Sequence, residues 1–167
     1  EFYYSTSNMQ LLSAIITRST GLSAREFANI HLFKPTGISE IPDYDMNLYS
    51  FDDVFGKNVK GWIKDPQGIT VGGMGLTIST YDMARFGVLY INKGQWEGKQ
   101  VISKKWIDES TGFCEGNYGY LWWIFNDINP RIYAALGSGG NGIWCIPQSN
   151  TVIVIASKIA RRVPDHL

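Results

Sequence analysis

A chain of 167 residues, 44% hydrophobic and 18% charged, is long enough for about one domain with a real core and too apolar to be disordered. Fifteen basic and fifteen acidic side chains cancel, and Arg161 and Arg162 are the only adjacent arginines, so nothing supports nucleic-acid binding by counterion release. The longest apolar runs, such as residues 152–156, are far too short to cross a bilayer, and 14% aromatic residues suggest a cleft wall or a surface for other polypeptide to cover.

In chain order, Met9, Leu12, Ile15 and Ile16 recur at helical spacing, with Leu11 widening the stripe. Ser5, Thr6 or Ser7 is expected to cap this helix and Gly21 to close it. Ser23 and Glu26 form a capping box for a second helix through Phe27, Ile30 and His31, which Pro35 is expected to stop. No Ser-His-Asp grouping surrounds His31, which reads as a helix-face residue. Asp43, Asp45 and Asn47 begin like a calcium loop, but Leu48 and Val54 stand where glycine and glutamate belong, so a solvated acidic loop is expected. Residues 62–76 form a glycine-dense loop of the length that tends to be functional.

Ser79 and Asp82 announce a helix through Met83, Phe86, Leu89 and Tyr90 that ends by Gly94, and Ser103 caps another over Lys104–Ser110. After Gly116 the pattern changes to strands at 118–125, 131–136, 142–146 and 151–156, with turns at 126–130 and 147–150. This predicts an α+β fold in a single domain over 1–167. Residues 1–116 are mainly helical with long loops, and 117–157 form an antiparallel four-strand meander. Cys114 and Cys145 lack metal spacing, and Cys145 reads as a small buried hydrophobe, so neither a metal nor a cofactor is expected.

Between two strand-like segments, Gly137, Gly139, Gly140 and Gly142 are interrupted only by Ser138 and Asn141. So many glycines are entropically costly, which leaves two readings: a tight hairpin loop, or a place where a ligand needs bare backbone. Asn141 is expected to begin the next strand. The chain has no GxSxG, HExxH, phosphate-loop, CxxC or Ser-x-x-Lys pattern.

The segments YYSTSNMQLLSAIITRSTG, AREFANIHLFKPTGI, WIKDPQGITVGGMGLTISTYDMARFG, VISKKWIDEST, YGYLWW and GSGGNGIWCIP occur in this order. Together they resemble the C-terminal portion of serine β-lactamase-related hydrolases: class C β-lactamases, penicillin-binding D-alanyl-D-alanine carboxypeptidases and esterases. The resemblance implies an incomplete piece of the β-lactamase/transpeptidase-like fold, in which 158–167 begin a truncated C-terminal helix. It also implies an acyl-enzyme formed on an ester or amide substrate, small or peptide-like, by the serine of a Ser-x-x-Lys motif outside these residues. Tyr4, in the setting Phe2-Tyr3-Tyr4-Ser5, matches the family's proton-shuttling tyrosine, and a phenol beside a lysine ammonium ionises more readily. Thr6 stands where the tyrosine motif carries a substrate-binding asparagine, with Asn8 two positions on.

Ser138-Gly139-Gly140 falls where the family carries Lys-Thr-Gly. Ser138 replaces the cation, which weakens carboxylate recognition, while backbone N–H groups past Gly139 can still face an oxyanion. Trp62, Asp65, Trp123 and Asn141 complete the expected substrate-binding set, although core packing accounts for the tryptophans equally well. The resemblance further implies a sheet with an exposed edge, completed by the missing N-terminal part or by a second copy, and it suggests an extracytoplasmic location. The competing reading is a non-catalytic ligand-binding module derived from the same fold.

Overall fold

A computed structural model of the chain describes residues 3–48, 50–112 and 115–158, the side chain of Glu115 excepted. Phe2, Cys114, Arg161, Arg162 and the closing helix expected beyond residue 158 lie outside the described residues.

Helix α1 spans Ser7–Thr20 and ends at Gly21, whose left-handed backbone (φ 75°) donates its N–H to the Thr17 carbonyl. Two expectations for α1 are corrected. Thr6 occupies the N-cap position with helical backbone angles and makes no side-chain cap, because a hydroxyl cap requires an extended residue there. The supposed inward stripe is largely outward: Leu11, Leu12 and Ile15 are exposed, whereas Ser13 is buried and donates to the Thr70 carbonyl at 2.6 Å.

Helix α2, Ala24–Ala28, has the expected capping box: the Ser23 hydroxyl accepts from the Glu26 N–H, and the Glu26 carboxylate accepts from the Ser23 N–H. Pro35 does not stop the helical path. The chain widens into a π turn at Asn29–Phe33 and tightens into a 3₁₀ turn at Lys34–Thr36, which Gly37 (φ 68°) ends. Pro35 sits in the opening turn of that last piece, where a missing N–H costs least. The buried Asn29 amide then pairs with both backbone groups of Ile41, donating at 2.8 Å and accepting at 3.0 Å. Phe33, Ile38 and Ile41 form a small core beside this bend.

The acidic loop is not merely solvated. Strand β1, Asp43–Tyr44, runs parallel to β2, Trp62–Ile63, and this brings cations to both aspartates. Arg25 reaches Asp43 at 2.9 Å and Lys64 reaches Asp45 at 3.0 Å. The hydrogen bond to Asp45 holds the Lys64 ammonium above the usual lysine range. A short helix, α3 at Phe51–Phe55, follows a capping box of Ser50 and Asp53.

Helix α4, Thr80–Ile91, starts at Ser79, whose hydroxyl accepts from the Asp82 N–H. After it come a hairpin of β3 (Gln95–Trp96) with β4 (Lys99–Gln100), and helix α5 at Lys104–Ser110, capped by Ser103. The final sheet is the expected antiparallel meander: β5 Trp123–Phe125, β6 Ile132–Gly137, β7 Asn141–Ile146 and β8 Thr151–Ile155.

Its inner rows, Ile124–Tyr133–Cys145–Val152 and Ala135–Ile143–Val154, face the core that α4 and α5 cover. Cys145 is fully buried, and burial pushes its thiol up to about 12, so it is unreactive near neutral pH, as a packing residue should be. The outer rows, Trp123–Ala134–Trp144–Ile153 and Leu136–Gly142–Ile155, are also apolar, and Leu136, Ile153 and Ile155 are exposed.

The first strand is shorter than expected. Tyr118 pairs with Trp123 in an isolated bridge, and the chain folds back between them, the Gly119 N–H donating to the Trp122 carbonyl at 2.7 Å. That fold-back inserts Trp122, 3% exposed, among Phe86, Tyr90 and Tyr133.

Candidate active site

Three aromatic rings converge where the chain enters α1. Tyr4 stacks on Trp123 (centroids 6.1 Å apart, interplanar 21°) and meets Tyr118 edge-on at 5.6 Å. Tyr118 also meets Trp123 edge-on at 4.8 Å. Such geometries suit the ring quadrupoles and fix the orientation of all three. The two phenols thus sit side by side. Burial first, and Tyr4 second, hold the Tyr118 hydroxyl above the ordinary tyrosine range, so Tyr118 keeps its proton and remains a hydrogen-bond donor. Sequence reasoning named Tyr4 and Trp123 but missed Tyr118; the only signal was the aromatic run YGYLWW.

Tyr4 is positioned by the seating of α1 on the loop after β2. Gln10 clamps that loop twice, donating to Asp65 at 2.8 Å and accepting from the Gly72 N–H at 3.0 Å. Gly72 lies so close that a Cβ built there would sit 2.0 Å from the Met9 carbonyl oxygen. The other carboxylate oxygen of Asp65 accepts from the N–H groups of Gln67 and Ile69, each at 2.9 Å, so Asp65 organises its own loop. Trp62 donates to the Val71 carbonyl at 2.9 Å and packs beside Phe33 in the smaller core.

Two surface pockets flank the entry to α1. One, of about 240 Å³, is lined by Thr6, Ser7, Gln10, Val71, Gly73 and Met74. The other, of about 430 Å³, lies under β5 and includes Asn117, Trp123, Phe125 and Asp127. Thr6 and Trp123 therefore each face a pocket, while Trp62 and Asp65 line neither of these two.

The glycine-rich stretch is a 3₁₀ turn, Ser138–Gly140, between β6 and β7. Gly139 and Gly140 adopt φ of 80° and 86°, a region that favours glycine, and Asn141 begins β7 as expected. The Asn141 amide donates to the Ser138 carbonyl at 2.9 Å and accepts from the Ser157 N–H at 2.8 Å, and the Ser157 hydroxyl bonds the Gly139 carbonyl. The side chain of Asn141 is thus spent on holding the turn. Because Trp123 pairs with Ala134, three residues before Gly137, the turn lies roughly 10 Å along β6 from the ring on which Tyr4 stacks.

The four-strand antiparallel sheet with helices packed on it can be set beside known proteins. The beta-lactamase family model matches residues 1–167, so the chain belongs to the beta-lactamase family. Within it, the chain is similar to a 6-aminohexanoate-dimer hydrolase of Paenarthrobacter ureafaciens, with 23% identity over 169 aligned positions covering 92% of this chain and 38% of that protein. Among solved structures, it resembles a putative 6-aminohexanoate-dimer hydrolase from Bacillus anthracis, with a TM-score of 0.68 and 25% identity over 92% of this chain and 37% of that one. The chain therefore spans less than two fifths of the length of these relatives.

Proposed function

We propose that this chain is the C-terminal part of a serine hydrolase that cleaves an amide or ester through an acyl-enzyme. Tyr4 moves the protons, and the attacking serine comes from a Ser-x-x-Lys segment outside these residues. The observation that carries this reading is the Tyr4–Tyr118–Trp123 cluster: a phenol held by two rings, one of them a second phenol, and half open to solvent. The backbone of Ser138, Gly139 and Gly140 borders the oxyanion side, with Asn141 fixing its shape. Thr6 and Trp123 border the substrate. The relatives' names point to a linear amide of an ω-amino acid as the substrate class.

The test is to label the full parent polypeptide with a fluorophosphonate probe and map the modified serine. The label is expected on a Ser-x-x-Lys serine outside residues 1–167, and Tyr4→Phe is expected to slow labelling by about 10²- to 10⁴-fold with little change in the unfolding midpoint. Labelling within these residues, or at a rate indifferent to Tyr4→Phe, would refute the reading. No label at all would favour a non-catalytic binding module, a reading supported by the serine at position 138, the threonine at position 6 and the occupied amide of Asn141.

The same reading assigns a partner to the uncovered apolar surfaces, namely Leu11, Leu12 and Ile15 on α1 and Leu136, Ile153 and Ile155 on the outer sheet face. The remainder of the parent polypeptide, or a second copy of this chain, covers them. The chain alone is expected to bind an apolar-surface dye or to dimerise, and the parent polypeptide to do neither. A monomeric chain that binds no dye would refute this.

A further inference from the structure

The larger pocket contains a feature that acyl transfer does not require. Trp123 and Phe125 stand two apart on β5, so the strand period places them on one face, and Asp127 lines the same pocket just past the strand end. Asp127 makes no hydrogen bond or ion pair among the described residues. An exposed carboxylate next to an indole and a phenyl ring is a combination that favours an organic cation: the carboxylate supplies charge, and the ring faces supply quadrupole attraction and apolar surface for the stem.

We propose that this pocket is a subsite for the ammonium end of a linear substrate. Asp127 receives the ammonium and Trp123 and Phe125 carry the aliphatic chain, while the reacting carbonyl lies toward Tyr4. Trp123 connects the two regions, since one indole both stacks under Tyr4 and lines the pocket. From Trp123 to the end of β5 the backbone advances roughly 7 Å, and Asp127 follows two residues beyond that end in the lining of the same pocket. The inference rests on the hydrolase reading for its direction along the pocket, but not for the recognition itself. An ω-amino substrate would thereby be told from its uncharged analogue by affinity.

The experiment titrates the chain with 6-aminohexanamide and with hexanamide, following the indole N–H resonance of Trp123, assigned by its loss in Trp123→Phe. The charged amide is expected to bind about five- to tenfold more tightly, with the difference shrinking as salt is added. Asp127→Asn is expected to bring that ratio close to one while leaving hexanamide binding unchanged, and Asp127→Glu to retain most of the preference. Equal affinities in the unsubstituted chain, a preference that survives Asp127→Asn, or no shift of Trp123 with either compound would overturn the proposal. No turnover is measured, so a failure of the acyl-enzyme reading leaves this result interpretable, and a pocket indifferent to charge leaves that reading intact.

Discussion

Gly72→Ala is expected to destabilise the chain by about 4–6 kcal/mol and to unseat the helix that carries Tyr4. The added Cβ would lie 2.0 Å from the Met9 carbonyl oxygen and 2.6 Å from its carbon, and both are backbone atoms that no rotamer change can move. Relief requires α1 to lift away from the loop. Lifting breaks the bond from the Gly72 N–H to Gln10, and with it the bonds of Gln10 to Asp65 and of Ser13 to the Thr70 carbonyl. Each such bond contributes about 1 kcal/mol, and the overpacking adds about 1–3 kcal/mol before the helix gives way. Gly68→Ala serves as the control, because a Cβ there meets nothing within 4 Å and the cost is only that of a left-handed backbone (φ 81°), about 1–2 kcal/mol. Urea midpoints of the two variants provide the measurement, with ring-current shifts of Tyr4 reporting its stacking on Trp123. Equal losses in both variants, or an undisturbed Tyr4 in Gly72→Ala, would show that the helix is not seated this way.

That glycine also marks where sequence reading succeeds and where it fails. A glycine-dense loop at 62–76 reads as functional, with Trp62 and Asp65 as cleft walls. In the structure Gly72 lets the loop backbone approach that of α1, while Asp65 bonds its own loop and Gln10, and Trp62 bonds the Val71 carbonyl. Close approach depends on the partner's position in space, which no local pattern encodes.

Helix α1 fails for a related reason. The apolar stripe of Leu11, Leu12 and Ile15 does not mark the inward face, because the side turned inward is the polar one, with Gln10 and Ser13 bonded to loop 65–72. Signals that are local in their physics were legible: the capping box at Ser23 and Glu26, the serine caps at 79 and 103, the left-handed Gly21, and the meander with Asn141 opening β7. The candidate site was legible only in part. Reading 118–125 as one strand separates Tyr118 from Trp123, whereas the fold-back at Gly119 brings the two rings within 4.8 Å.

Because of this fold-back, the two adjacent tryptophans are expected to fail in different ways. Trp122 points inward, 3% exposed, with its ring 4.4 Å from Tyr90, 5.2 Å from Tyr133 and stacked at 6.1 Å on Phe86. Removing a ring of that size from a packed core costs about 3–5 kcal/mol, a large part of the 5–15 kcal/mol that ordinarily holds a domain together. Trp122→Ala is therefore expected to lower the urea midpoint steeply, and Trp122→Phe to recover a substantial part of the loss by refilling the space between α4 and the sheet. Trp123 lies on the opposite face of β5, half-buried beneath Tyr4, so Trp123→Ala is expected to cost less than half as much stability while removing the surface on which Tyr4 stacks. Unfolding curves for the three variants, read beside the probe-labelling rate of the parent polypeptide, separate the two roles. Were Trp123→Ala the more destabilising change, or were Trp122→Ala tolerated with an unchanged midpoint, the division of β5 into a core face and a site face would be wrong, and the placement of Tyr4 on it would fall as well.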